Sequence, residues 1–342
     1  MSVKNRASIL IVGNTRVFHV GHHFEVAARR MGLRVRICGI EEAFEGPLFF
    51  RKLDWWLRGH KPYGMAPFER KVLAVCREFL PTQLISTGLA PLTRQSLEQM
   101  RKMGIGLINF LTDDPWNPAH RASWFLHALP IYDRVFTPRR ANLEDLKMHG
   151  CQKAAYLPFA YSPEAHYPEP IQTDDERRRF ECDVVFAGGA DKDRIPYVRA
   201  LVKAGLKTHL YGGYWNRYSG LGSGYRGMAD LHMLRMAAGA AKVTLCLVRR
   251  ANRDGHCMRT FETPAMRGCM LTEDTPDHRE IFGPEGQAVL YFRHEKEMMA
   301  KAQLLTSNAR ERERLTVSAH DLVTKGKNTY RDRLTSMLGT TP

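Results

Sequence analysis

Short apolar runs alternate along this chain with longer stretches in which apolar residues recur every three or four positions. Residues 8–12 are apolar almost without interruption and are bounded by a basic start and by Gly13, the pattern of a strand buried on both faces of a parallel sheet. Behind them Phe24, Ala27, Ala28 and Met31 fall at i, i+3, i+4 and i+7, with Glu25, Arg29 and Arg30 on the other face, which predicts an amphipathic helix. Further strands are expected over residues 33–39, 83–86, 105–111, 132–136 and 154–157, and helices over 67–79, 92–103 and 139–149. Right-handed crossovers put these strands parallel in one sheet.

Pro158, Pro163, Pro168 and Pro170, followed by the charged run 174–179, have the composition of a linker. A second alternation follows, with strands over 182–187, 206–211, 242–248 and 288–292, helices over 228–238, 296–305 and 310–323, and a closing amphipathic helix from residue 328. The fold class is therefore α/β, with two Rossmann-like domains facing each other across a cleft. The expected boundaries are 1–165 for the first domain, 166–180 for the linker, 181–325 for the second domain, and 326–342 for a carboxyl-terminal helix packing back toward the first. A length of 342 residues suits two domains of ordinary size.

Composition narrows the partners. With 51 Lys and Arg against 36 Asp and Glu the formal charge is +15, which suits an anionic ligand, an anionic membrane surface or nucleic acid. The bases are spread along the chain without a dense tail or a recognised reading module, which favours a phosphate-binding site over a nucleic-acid reader. Residues 49–58 mix aromatics with bases and admit two readings: a segment resting peripherally on a membrane, or aromatics capping the core with their bases in water. Seven cysteines without a C-x-x-C spacing, no apolar run near 18 residues and no signal-like start point to reduced thiols in a cytoplasmic protein. Cys246 and Cys257 read as structural, since neither has a base at nucleophile spacing.

The chemistry concentrates at the strand-to-helix turns. The first turn carries Gly13, Asn14, His19 and His22, candidates for contact with an acceptor, but lacks the G-x-G-x-x-G fingerprint, which argues against a nicotinamide cofactor. His19, His22 and His23 lack the acidic partners of a metal site. Gly188 and Gly189 follow a predicted strand and precede Arg194, so that backbone amides and a helix dipole could approach a phosphate. The stretch from 249 to 271 places Asp254 and Glu262 eight positions apart among Arg249, Arg250, Arg253 and Arg259; if helical, that spacing spans roughly 12 Å, about the length between the two ends of a nucleotide-sugar. Pro264 is a tension in that reading, since a helix beginning at Pro264 with Thr263 as its cap would put Glu262 on the entering turn.

Asn252-x-Asp254-Gly255-His256, Arg259-Thr260-Phe261-Glu262-x-Pro264-Ala265, Leu271-Thr272-Glu273 and Thr329-Tyr330-x-x-Arg333, with Asp113-Asp114-Pro115 and Tyr132-Asp133-x-Val135-Phe136 in the first half, resemble the CgeB-like glycosyltransferases of the GT-B fold. The resemblance runs from about residue 107 to residue 338. It implies a nucleoside-diphosphate sugar, with a UDP-sugar favoured, held chiefly by the second domain through Gly188, Gly189, Arg194, Arg250, Asn252, His256, Arg259, Thr260, Phe261 and Glu262. An acceptor, be it a glycan, a lipid-linked molecule or a protein, falls to the first. Retaining enzymes of this kind carry two glutamates separated by seven residues. Glu262 matches the second, the ribose ligand, and Asp254 stands where the first would lie beside the donor sugar. Asp254 and Arg259 are thus the catalytic candidates of the second domain, and Asp113 or Asp114 the general base if the reaction inverts. No metal or cofactor is expected. The competing readings are a basic nucleic-acid-binding protein and a non-transferring relative, either an epimerase or a glycan binder.

Overall fold

The computed structural model describes residues 7–47, 59–119, 121–253 and 255–339; the aromatic and basic segment 49–58 and Asp254 lie outside them. The chain forms two compact units. One comprises Met1–Pro158, Ala251–Arg253 and Tyr330–Pro342, the other Phe159–Arg250 and Asp254–Thr329; they are called the amino-terminal and carboxyl-terminal domains below.

The amino-terminal domain is built on a parallel sheet of β1 (Ser8–Gly13), β2 (Arg34–Gly39), β3 (Gln83–Thr87), β4 (Gly106–Phe110), β5 (Arg134–Thr137) and β6 (Ala154–Tyr156), in the order β2-β1-β3-β4-β5-β6. Ile9, Leu10, Ile11 and Val12 are all fully buried, as their unbroken apolar run requires of a strand covered on both faces. β2 lies at the edge and alternates in exposure, with the guanidinium groups of Arg34 and Arg36 set 4.5 and 5.2 Å from the centre of the Phe79 ring. Helices α1 (Val20–Arg30), α2 (Met65–Phe79), α3 (Arg94–Lys102), α4 (Ser123–Ala128) and α5 (Ala141–Met148) connect the strands. Thr93 caps α3 by accepting from the Ser96 amide, and Glu69 accepts from both residues' hydroxyls. The last helix, Tyr330–Leu338, belongs to this domain: the buried Tyr330 ring stacks on His23 at 4.9 Å and meets the Phe24 ring edge-on at 5.3 Å.

The carboxyl-terminal domain repeats the plan with β7 (Cys182–Ala187), β8 (Thr208–Tyr211), β9 (Ala241–Cys246), β10 (Met270–Glu273) and β11 (Leu290–Phe292), all parallel, in the order β11-β10-β9-β7-β8. Helices α6 (Asp174–Phe180), α7 (Ile195–Lys203), α8 (Leu231–Ala240), α9 (Arg259–Ala265), α10 (Pro276–Phe282), α11 (Glu295–Ser307) and α12 (Ala309–Lys325) accompany them. The charged run expected as linker is α6. Thr173 accepts from the Glu176 amide while Glu176 accepts from the Thr173 amide, a capping box that starts a helix where composition alone suggests a tether. β9 stops at Cys246, two residues short of its apolar run, and the Val248 N–H donates to the Glu273 side chain instead of to a neighbouring strand.

Strand order reverses between β1 and β3 in one sheet and between β7 and β9 in the other. Open α/β sheets bind ligands beyond the carboxyl ends of the strands at such points. At the first of them a Cβ on Gly13 would lie 2.5 Å from the Thr87 hydroxyl and 3.1 Å from Gly21 Cα, so glycine here permits close approach of β1, β3 and the start of α1. Gly13→Ala is therefore expected to destabilise the protein by about 1–3 kcal/mol through overpacking. Urea unfolding should also show partial recovery in the Gly13→Ala, Thr87→Ala double variant, because one of the two clashes is gone.

Candidate functional site

The carboxyl ends of β7 and β9 carry the groups expected to hold a donor. Past β7 the chain turns through Gly188 and Gly189, packed so closely that a Cβ on Gly212 (φ +122°) would lie 2.5 Å from the Gly188 carbonyl oxygen. That carbonyl also accepts from the indole N–H of the fully buried Trp215 at 2.8 Å. The expectation that both glycine amides and a helix dipole face a phosphate needs correction. Gly188 N–H donates to Tyr211 O at 2.8 Å, and the amides of Asp193 and Arg194 ahead of α7 donate to Asp191 Oδ1 at 3.1 and 3.0 Å. Of the groups named there, the Gly189 amide is the one left, and Arg194 stands beside it. Arg194 donates to the Gly189 carbonyl at 2.9 Å and pairs with Asp191 at 3.3 Å.

Past β9 the chain makes a 3-10 turn at Arg250–Asn252 and reaches α9 past Gly255 at φ +94°. The expected helix start at Pro264 is corrected: α9 begins at Arg259 and contains Pro264. Proline at this position forfeits its bond one turn back and crowds the Thr260 carbonyl, so the helical form of α9 is held by the burial of Thr260 to Ala265 and not by intrinsic preference. The Phe261 and Glu262 amides still bond to Met258 O, and Glu262 O accepts from Met266 N at 3.1 Å. The helical ruler from Asp254 to Glu262 does not apply, since Asp254 lies outside the described residues and the helix begins after it.

Glu262 is 1% exposed and pairs with Arg259 one turn earlier, and its other oxygen lies 3.6 Å from Nε2 of the buried His166. A carboxylate so covered requires a compensating charge, and Arg259, with about a quarter of its side chain exposed, supplies one while remaining reachable. Arg250 is more open. Its guanidinium reaches the Tyr197 hydroxyl at 3.4 Å and Glu273 at 3.8 Å. Burial raises the Glu273 carboxyl above the usual carboxylate range.

Two buried histidines hold this loop. The Phe159 amide donates to His256 Nε2 at 3.1 Å, so the ring proton sits on Nδ1, 2.9 Å from Asp277 Oδ2. Both nitrogens of this fully buried ring are engaged, and His256, expected as a ligand contact, fastens the loop. Phe261, also expected to touch the ligand, is buried edge-on against that ring at 5.6 Å. His278 Nδ1–H donates to Glu273 O at 2.8 Å, which leaves Nε2 to accept from the Thr260 hydroxyl at 3.0 Å. Thr260 in turn accepts from the Cys257 amide at 3.2 Å. Thr260 is thus spent on supporting the start of α9. Beside it Cys257 and Cys246 approach to 3.5 Å between sulfurs. The hydrogen bond between the two sulfurs, reinforced by the charges of Arg259 and Arg194, lowers the Cys257 thiol against the opposing effect of burial. His166, Tyr197, Asp277 and His278 carry no motif and were not legible as parts of this site.

Asn252 groups with the amino-terminal domain. Expected as a nucleotide contact, it accepts from the Asp114 amide at 3.1 Å and donates to Asp113 Oδ1 at 3.4 Å. Asp114 is 2% exposed and ion-paired to Arg253 at 2.5 Å, with Oδ1 accepting from the Trp116 amide. Asp113 is half-buried, accepts from the Thr112 hydroxyl at 2.9 Å and is the more accessible of the two. At the end of β1, Asn14 Oδ1 caps the turn by accepting from Arg16 N at 3.0 Å. His19, the residue before α1, is exposed without a side-chain cap bond, and His22 is half-buried.

Two parallel-sheet α/β domains with these switch points define the GT-B fold, and solved structures of that fold superpose over nearly the whole chain. Sucrose-phosphate synthase from Thermosynechococcus elongatus matches with a TM-score of 0.69 at 12% identity, covering 98% of each chain. HepE from Anabaena, in complex with UDP and glucose, matches with a TM-score of 0.66 at 11% identity, covering 98% of this chain and 100% of its own. A UDP-forming α,α-trehalose-phosphate synthase from Burkholderia xenovorans matches with a TM-score of 0.61 at 13% identity, covering 97% of this chain and 99% of its own. By sequence, no curated protein matches the chain. Residues 194–339 match the family model described as glycosyl transferase-like, so the part of the chain that carries the Arg259–Glu262 pair is glycosyltransferase-like. No helix among the described residues is long and apolar enough to cross a membrane.

The buried His278 generates a pH prediction. Burial pushes its pKa from 6.5 to about 4, and burial with Arg226 nearby does the same for His209. Between those values the unfolded chain binds the proton that the folded chain refuses, so stability is complete above about pH 6.5 and is lost as pH falls toward 4. His278 alone accounts for about 3 kcal/mol of that loss. Urea midpoints measured at pH 7.5, 5.5 and 4.5 should fall accordingly, and the slope should flatten in His278→Gln.

Proposed function

We propose that the protein is a CgeB-like glycosyltransferase that moves a sugar from a UDP-sugar to an acceptor, with retention at the anomeric carbon and without a metal. The observation that carries this reading is the buried Arg259–Glu262 pair at the start of α9, set at the switch point of a glycosyltransferase-like domain. The uridine preference draws on the names of the structural neighbours, among them HepE complexes with UDP and with UDP-glucose.

As the bond from the anomeric carbon to the donor phosphate breaks, negative charge develops on the departing diphosphate. Arg259 and Arg250 are the mobile cations able to meet it, with Arg194 and the Gly189 amide beside them. Glu262 accepts the ribose hydroxyls. In the free protein that carboxylate neutralises Arg259; when ribose replaces Arg259 as its hydrogen-bond donor, the guanidinium is freed to turn toward phosphate. Donor binding and arginine release are then one event. Asp113, in preference to Asp114, is the first-domain carboxylate to test if the anomeric configuration inverts.

Isothermal titration is expected to show UDP binding more tightly than GDP or dTDP. Glu262→Ala and Arg259→Ala should each weaken UDP about tenfold or more, that is by about 1.4 kcal/mol or more. Proton NMR of the released sugar, with UDP-glucose as donor, distinguishes retention from inversion and transfer from epimerisation. Failure of all three nucleotides to bind would overturn the assignment.

A further inference from the structure

We propose that Cys246 and Cys257 are a thiol pair that closes reversibly to a disulfide and thereby disables the donor site. The chemistry stands on the geometry of the two sulfurs; its consequence for donor binding rests on the function proposed above.

The two cysteines have unequal mechanical situations. Cys246 is the last residue of β9, fully enclosed, with its backbone paired in register to Thr272 of β10 and its carbonyl accepting from the Thr272 hydroxyl. Cys257 is half-buried in the short stretch between Gly255 and Met258, the residue before α9. One sulfur is therefore fixed in the sheet and enclosed, and the other is half-buried beyond the sheet, between the fastened His256 and the start of α9. Their separation of 3.5 Å must shrink by roughly 1.5 Å to reach bonding distance. Because β9 is paired on both sides and His256 is fastened, that approach falls on Cys257 and the residues after it, and so on Arg259 at the start of α9.

Cys257 is the attacking group by position, since Cys246 is enclosed within the sheet. The hydrogen bond between the two sulfurs and the charges of Arg259 and Arg194 lower the Cys257 thiol, while burial raises Cys38 and Cys151 to about 11 and Cys76 and Cys182 to about 12. Among the described residues no other pair of cysteine sulfurs lies within hydrogen-bonding distance of one another. The oxidant is a small-molecule disulfide. The Cys257 thiolate attacks one of its sulfurs, forming a mixed disulfide and expelling one thiolate. Cys246 then loses its proton to that thiolate and attacks Cys257 Sγ, expelling the second. Two cysteine thiols become one disulfide while the small disulfide is reduced to two thiols.

Trypsin separates the two sulfurs into the peptides 243–249 and 254–259, so digestion under non-reducing conditions after treatment with glutathione disulfide reads the bond directly. The expected result is a cross-linked pair of these peptides, abolished by dithiothreitol. Cys246→Ala should arrest the reaction with glutathione retained on Cys257, and Cys257→Ser should block both products; thermal melts establish that each variant is folded. Absence of the cross-link in the wild-type protein together with no glutathione on Cys257 in Cys246→Ala would overturn the proposal, as would a dominant bond between other cysteines. The oxidised protein should bind UDP about tenfold less tightly than the reduced protein. If the cross-link forms but reduced protein binds no nucleotide, the thiol pair stands and the transferase reading falls; if the cross-link forms and UDP affinity is unchanged, the proposed coupling to the donor site falls.

Discussion

An imidazole enclosed by protein must find partners for both of its nitrogens, and the loop entering α9 is built around two such rings. His256 accepts from the backbone of Phe159 and donates to Asp277; His278 accepts from Thr260 and donates to the backbone of Glu273. Between them they tie the short helix of Arg259 and Glu262 to the carboxyl end of β10 and to the start of α10. A seven-residue helix containing proline has little intrinsic stability, so its orientation is set by these ties. The directions in which Arg259 and Glu262 point follow from them. Protonating either ring would replace an acceptor with a second donor facing a donor, so the neutral state is a condition of the geometry.

The distribution of charge follows a related logic. Backbone amides are a common means of holding phosphate, yet here the sheet takes that of Gly188 and the Asp191 carboxylate takes the first amides at α7. In the proposed function, phosphate recognition then falls to guanidinium groups, which carry full charge. Arg194 is braced against Gly189 and Asp191, Arg259 is held by a carboxylate, and Arg250 is largely exposed. The three form a gradient from fixed to mobile. The net basic charge of the chain adds a long-range attraction for polyphosphates on top of it.

Much of the fold was legible because parallel strands buried on both faces leave unbroken apolar runs, as residues 8–12 do, and because helices such as α1 repeat their apolar positions. The cluster from Arg259 to Ala265 was singled out by polar groups concentrated beyond a predicted strand and by its resemblance to a glycosyltransferase motif. What escaped depends on partners distant in sequence or on local bonds that composition hides. Asp114 reads as a base until Arg253, 139 residues away, is found against it, and His256 reads as a ligand contact until Asp277 and Phe159 take its nitrogens. The run 174–179 was open to a better reading, since Thr173 and Glu176 have capping-box spacing. Pro264 misled in the other direction, because the burial of Thr260 to Ala265 outweighs the local preference of proline.

Trp215 is the only tryptophan in the carboxyl-terminal domain; the other four, Trp55, Trp56, Trp116 and Trp124, all precede residue 159. Its indole N–H is bonded to the carbonyl of Gly188, and its ring stands edge-on to Phe186 beneath the same turn. A fluorinated tryptophan would therefore place one nuclear-spin label in this domain, directly under the glycines beside Arg194. The protein thus carries its own spectroscopic reporter of the β7 turn, one that needs neither an acceptor nor turnover to register a change there.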